Sequence, residues 1–411
     1  MSIKQKKGIS LIVLVITIIV MIILATAIIL SLNGSGIIGK AHEAKTASDL
    51  ANAKSVVALA KAEWDLNKDK LSGEYSSFIE YAEQKLKENS YTDEYIAKLE
   101  ITEAGNVSIR IYTTYTDSNL DTAPIPVGFT VSTISTEQTI DTGLVILDEE
   151  GNEFVWVPVE NIDLFKTTTS YTGTTITSPS YIEPLTETTN FVTDISLYAD
   201  EIAQYYSMRD SVEEYKGFYI ARYEAGLPED ETIATVKIDG TDKPVSKKGA
   251  KVWRSIPFDS KWEYDNANST VKTSIEYGDD SNPGAALVAK KAYAKSTSVV
   301  SHLIYGIQWD AALRFIATTD SQYPTDSTGK GNYSGSQKEE TGYYAVNNIY
   351  DMAGDVCEWT YEVCPLYRMG YRAKRGGGYW DTDPNASSRS YDSPDGDHFL
   401  NGFRVVLYVK M

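Results

Sequence analysis

Two thiols and three imidazoles are the groups from which nucleophilic, general-base or soft-metal chemistry could be built in this chain: Cys357 and Cys364, then His42, His302 and His398. Their spacing supports little of it. Two cysteines are too few for a disulfide framework. One loop-closing bridge and two unpaired thiols both fit the pair. No CxxC pair, no glycine-rich phosphate loop and no serine in a nucleophile motif is present. His42 falls in an Ala- and Lys-rich helical stretch, and His302 opens a run with helical spacing, where capping or packing accounts for it. His398 has Asp395 and Asp397 beside it, a set that could ligate a metal, but no second spaced cluster completes a site.

What the chain has in quantity is binding chemistry. Tyr is abundant, at 29 residues against 10 Phe, and Tyr combines contact area with a polar tip. The densest stretch lies between Arg375-Gly-Gly-Gly and Gly402-Phe-Arg404. It comprises Tyr379, Trp380, Asp381, Asp383, Asn385, Ser387, Ser388, Ser390, Tyr391, Asp392, Ser393, Asp395, Asp397, His398, Phe399, Leu400 and Asn401. Aromatics that supply area, mixed with small polar groups that supply adaptable hydrogen bonds, are the composition of antibody loops. Net charge is −19. That excludes nucleic acid as a partner, because phosphate binding needs a basic surface, and it leaves cations welcome.

The elements that must carry this stretch follow from pattern. At 411 residues the chain has room for two or three domains. Lys4, Lys6 and Lys7 precede an uncharged apolar run from Ile9 to Leu32, long enough to span roughly 30 Å of hydrocarbon with the leader on the cytoplasmic side. After Asn33–Gly36, apolar residues at Leu50, Ala53, Val57, Ala60 and Trp64 predict an amphipathic continuation of the helix. One more helix near Tyr75–Glu88 and strands such as VSIRIYTTY follow. From Pro124, IPVGFTVS, GLVILDEEGNEFVWVPV and GFYIARYEAG read as strands with turns. A Thr/Ser-rich stretch, KTTTSYTGTTITSPSYIEPLTETTN, reads as an exposed insertion. The run from Ser301 reads as a helix, with Leu303, Ile307, Leu313 and Ile316 near one side.

The order basic leader, Gly8, apolar helix resembles type IV prepilins. The resemblance implies cleavage between Gly8 and Ile9 by a prepilin peptidase, with association to pilin-like subunits. Val13 stands where that family has Glu, so membrane-held and fibre-borne forms are both open. Over roughly residues 140–411, the succession Phe154-Val-Trp-Val-Pro158, Gly217–Glu224, Trp309-Asp310, Asn347–Trp359, Arg375-Gly-Gly-Gly and Gly402-Phe-Arg404 resembles the formylglycine-generating enzyme (sulfatase-modifying factor) family, a variant of the C-type lectin fold. The expected fold is therefore α+β: leader 1–8, pilin-like helix 9–70, a small α/β layer 71–125 and a lectin-like domain 126–411.

Enzymes of that family use two cysteines between the last two motifs, bound to copper(I), a soft metal that thiolates select. The interval Tyr379–Asn401 has none, so no catalytic residue and no enzyme activity is expected. The family's structural Ca²⁺ site maps onto side-chain oxygens of Asp351 and Glu358 and carbonyls of Gly354 and Val356, hard donors suited to Ca²⁺; a solvated turn with Glu358 in a salt bridge is the alternative. The soft segment framed by glycine and arginine resembles the variable proteins of diversity-generating retroelements, which implies a diversified face, against an ordinary acidic lectin loop.

The expected function is a non-catalytic ligand-binding protein at a bacterial cell membrane. Its C-terminal domain would lie outside and face a protein or glycan. A diverged enzyme and a structural minor pilin are the alternatives.

Overall fold

The computed structural model describes residues 37–166, 183, 198–229, 243–261, 264–265, 270–271, 278–279, 282–333, 335, 340–364, 370–381 and 385–411. The leader, the Gly8–Ile9 junction, the apolar run to Leu32, the Thr/Ser-rich insertion apart from Lys166 and Glu183, and Asp383 lie outside them. Among the described residues no helix is long and apolar enough to cross a membrane. The architecture is α+β with curled sheets, in two compact units, Met1–Arg110 and Ile111–Met411.

In the first unit, helix α1 (Ile37–Leu66) is 30 residues long. Its stripe Ala53, Val57, Ala60 and Trp64 is buried, because three- and four-residue spacing puts these side chains on one face. They pack on α2 (Phe78–Glu88) through Phe78, Tyr81, Ala82 and Leu86. Ser77 caps α2 by accepting the Glu80 N–H, and the Glu80 carboxylate accepts the Ser76 N–H at 2.7 Å. The cap explains why α2 begins three residues after the expected Tyr75. A hairpin of β1 (Leu99–Ile101) and β2 (Val107–Ile109) closes this core.

The second unit opens with the pair β3 (Tyr112–Thr116) and β4 (Thr122–Pro126). Its main sheet contains β5 (Phe129–Val131), β6 (Val145–Asp148), β7 (Glu153–Pro158), β8 (Gly217–Ala221), β9 (Val299–Leu303) and, at the chain's end, Val405–Val409. All the pairings are antiparallel, and the C-terminal strand sits between β9 and β8. β8 and the C-terminal strand are buried along their whole length, as unbroken apolar strands covered on both faces must be. Helix α3 (Ala199–Tyr215) packs on β8, and α4 (Ala285–Lys291) on β9.

The run from Ser301 is a strand before it is a helix. Helix α5 spans Gly306–Ala317 only, and Leu303 belongs to β9. The β-branched Val299 and Val300 start a strand whose pairing with Val405–Val409 outweighs the helical period. Tyr305 then ends it, its N–H donating to the Gln308 side chain at 3.1 Å. His302 is thus a fully buried strand residue between Tyr305 and Tyr408. Burial holds its imidazole down at about 3, so it is neutral.

The second sheet has four strands: β10 (Cys357–Cys364), β11 (Tyr371–Arg375), β12 (Arg389–Asp392) and β13 (Asn401–Gly402), in the order β12-β11-β10-β13. It carries the framed segment: Arg375 ends β11, Arg389 starts β12, and Gly402 leads into Phe403 and the C-terminal strand, β14.

Candidate functional site

The frame is held by ion pairs that no local pattern announces. Arg375 is fully buried and donates to Asp310 of α5 at 2.7 Å and to Glu362 of β10 at 3.2 Å. Arg389 donates to the other oxygen of Asp310 at 2.9 Å and to Glu362 at 3.2 Å. Two carboxylates therefore bridge two guanidiniums, one at each side of the first loop. Trp309 adds its indole N–H to the Ala386 carbonyl at 2.9 Å. Glu183 closes the N-terminus of α5, its carboxylate accepting the Gly306 and Ile307 N–H groups, both at 2.8 Å. At the other end Arg404 is buried and donates to both oxygens of Glu358, at 3.0 and 2.7 Å, and to the Ala221 and Tyr350 carbonyls.

The loop backbone is pinned as well. Gly376 and Gly377 take the left-handed angles φ +82° and +71°, which β-carbon sterics disfavour in other residues. The Tyr379 N–H donates to the Asp355 carbonyl at 3.1 Å, and its carbonyl accepts the Gly335 N–H at 2.9 Å. The Asp381 side chain closes the turn by accepting the Gly378 N–H at 2.7 Å. In the second loop the His398 Nδ1 accepts the Leu400 N–H, and Leu400 hands its carbonyl to the Cys357 N–H at 2.7 Å.

On this support the expected ligand contacts divide. Trp380 is 63% exposed and Phe399 40%. Their rings meet edge to face at 6.0 Å, with Tyr379 at 5.9 Å from Trp380 and His398 at 4.3 Å from Phe399. Asp381, Asp395, Asp397 and His398 are exposed, Asp381 beside Trp380 and His398 beside Phe399 in the chain. Ser388, Ser390, Tyr391, Asp392 and Ser393 are half-buried: Tyr391 stacks on Tyr371, and Asp392 pairs with Lys374 at 3.0 Å. Tyr379, at 7% exposure, and Asn385, Ser387 and Asn401 are buried, which corrects their reading as contact residues. Ser387 donates to the Asn385 side chain, and Asn401 accepts from Lys374 at 2.9 Å and donates to the Gly396 carbonyl. Burying amide side chains requires such partners; composition alone does not reveal them.

Both thiols are buried and neither forms a disulfide. Burial pushes the Cys357 thiol up to about 12, far from the thiolate that reacts or binds a metal. Among the described residues no group of three or more His, Cys, Asp or Glu could hold a metal ion, and that covers His398 with Asp395 and Asp397. The carried-over Ca²⁺ set does not fit. Asp351 accepts the Gly342, Tyr343 and Tyr344 N–H groups. Both oxygens of Glu358 hold Arg404, a permanent cation on the spot a dication would need. Gly354, at φ +79°, and buried Val356 serve the turn that brings these groups together.

Glu224, which the sequence singled out only as part of a motif, is fully buried with neither carboxylate oxygen hydrogen-bonded. Burial first, then the charges of Asp355, Asp351 and Glu358, pushes its carboxyl well above the ordinary range. A raised folded-state pKa contributes stability that is fully present below the unfolded value, about 4.3, and is lost as pH climbs toward the folded one. Glu224→Gln should therefore gain on the parent as pH rises through that window, by up to about 1.4 kcal/mol per pH unit. Urea midpoints across the window measure it; a pH-independent loss would show an ionised, partnered carboxylate instead.

No protein-family model matches the chain, and no curated protein does. Solved structures similar to it include the crystal structure of CarF, at 16% identity and a TM-score of 0.30, over 47% of this chain and 87% of that one. Another is Treponema denticola variable protein 1, at 12% identity and a TM-score of 0.23, over 72% and 99%. At those scores neither likeness decides fold or function.

Proposed function

We propose that the chain is a non-catalytic ligand-binding protein of the bacterial cell surface, whose lectin-like second unit presents the Trp380–Phe399 face to an extracellular partner and whose N-terminus anchors it as pilins are anchored. The observation that carries this is a solvent-exposed aromatic cluster standing on a frame of buried ion pairs. Exposed Trp on a rigid support is costly for solubility and typical of contact centres. Binding without turnover accords with buried thiols and with a segment that lacks cysteine. The lectin-type fold and the diversified character of 379–401 belong to the same proposal, on the motifs named above.

Replacing Trp380 and Phe399 together with alanine tests it. Both are exposed, so stability should stay within about 0.5 kcal/mol of the parent, while adhesion of cells displaying the protein falls away. Unchanged adhesion would favour the structural minor pilin. Sequencing the codons for 376–404 across a population tests diversification: variation confined to adenine positions beside a reverse-transcriptase gene supports it, and an invariant segment ends it.

A further inference from the structure

Resting on the binding face proposed above, we propose that its ligand is an arginine-bearing segment of a partner protein, held by the aromatic corner and its acidic rim. The first observation is shape. Trp380 stands at 88° to Tyr379 and at 74° to Phe399, with centroids 5.9 and 6.0 Å apart. Rings set at right angles form a corner, with the face of one available while the edge of the next closes the side. A planar guanidinium stacks on such a face as a point-like ammonium does not.

The second observation is charge. The interval holds Asp381, Asp383, Asp392, Asp395 and Asp397, no lysine, and one arginine. That arginine, Arg389, is spent inward on Asp310 and Glu362. Lys374 beneath the loop is 8% exposed and already bound to Asp392 and Asn401. Asp395 and Asp397 are exposed, four and two positions before Phe399, with Asp395 oriented by the Ser393 hydroxyl. Among the described residues, the exposed part of the interval therefore carries carboxylates beside apolar rings and no lysine or arginine, and carboxylates can take a guanidinium bidentately. A neutral sugar would use the rings and leave the acids uncompensated; an acidic ligand would be repelled.

Fluorescein-labelled peptides of equal length, carrying alternating Ser with Arg, Lys, Glu or Gly, are titrated against the full-length chain in a non-ionic detergent. Fluorescence polarisation reads the binding. The Arg peptide should bind best, roughly ten-fold or more above the Gly peptide, about 1.4 kcal/mol, and should weaken as salt screens the rim. Trp380→Ala with Phe399→Ala, and separately Asp395→Asn with Asp397→Asn, should each remove that advantage. Asp163→Asn with Asp326→Asn, exposed acids outside the interval, should not. An Arg peptide bound no better than Gly, or bound equally by the Trp380 and Phe399 variant, overturns the inference, because the net charge of −19 then accounts for any attraction. A parallel array of neutral glycans separates the two levels. Trp380-dependent glycan binding in that case retains the binding face and discards the cationic ligand; absence of any Trp380-dependent binding discards both.

Discussion

Replacing Asp310 with alanine is expected to lower the unfolding free energy of the second unit by about 3–5 kcal/mol. Asp310 is fully buried and its two oxygens serve two different guanidiniums, Arg375 and Arg389. Without it, both cations lose a shared carboxylate in a site where Arg375 is 0% and Arg389 8% exposed in their side chains. Removing one partner of a buried pair is costlier than removing the pair, because the survivor's charge stays desolvated. Stabilities of 5–15 kcal/mol are usual for whole domains, so the variant sits near the limit of folding. Urea denaturation followed by tryptophan fluorescence measures it. Because the deficit comes from stranded charge, Arg389→Met in the same chain should recover part of it. Such non-additivity is what a double-mutant cycle detects. A loss under about 1 kcal/mol would mean these ion pairs behave like surface ones and do not hold the frame. The functional consequence is distinct: hydrogen exchange should quicken at 376–388 first, and ligand binding should fail at temperatures where the rest of the unit is still folded.

The second large effect concerns the closing strand. Glu358→Ala strands Arg404, whose guanidinium is buried and donates through its Nε and Nη2 to that carboxylate. The remaining hydrogen-bond partners are the Ala221, Tyr350 and Asp351 carbonyls, and of the carboxyls near it those of Glu224 and Asp351 form no ion pair with it. A loss of about 3–5 kcal/mol is again expected, and here it reaches the main sheet, because Arg404 adjoins the strand Val405–Val409 that pairs with both β8 and β9. Calcium separates the two views of Glu358. With Arg404 as its partner, added Ca²⁺ leaves the parent's midpoint where it is, and chelators do likewise. A Ca²⁺-dependent rise in the parent that Glu358→Ala abolishes would restore the cation site and displace Arg404 from it.

Much of the fold was legible along the chain. The stripe Ala53, Val57, Ala60 and Trp64 marked a helix face, and GLVILDEEGNEFVWVPV and GFYIARYEAG marked strands β6, β7 and β8. Where it misled, at Ser301–Leu303, a helical period ran into a sheet position that only a distant strand supplies. In the site, the two framing motifs, the aromatic character and the surplus of aspartate were visible in composition. The split of the interval into exposed Trp380, Asp395, Asp397 and Phe399 and buried Tyr379, Asn385, Ser387 and Asn401 was not.

By itself the sequence determined the periods, the turns and the charge balance, because each is a property of neighbours a few residues apart. The tertiary structure alone decided which polar groups are buried and what neutralises them. Arg375 meets Asp310 across 65 positions, Arg404 meets Glu358 across 46, and among the described residues Glu224 meets no donor. A buried charge is tolerable only beside a partner, and where that partner lies in the chain is set by how the sheets and α5 come together.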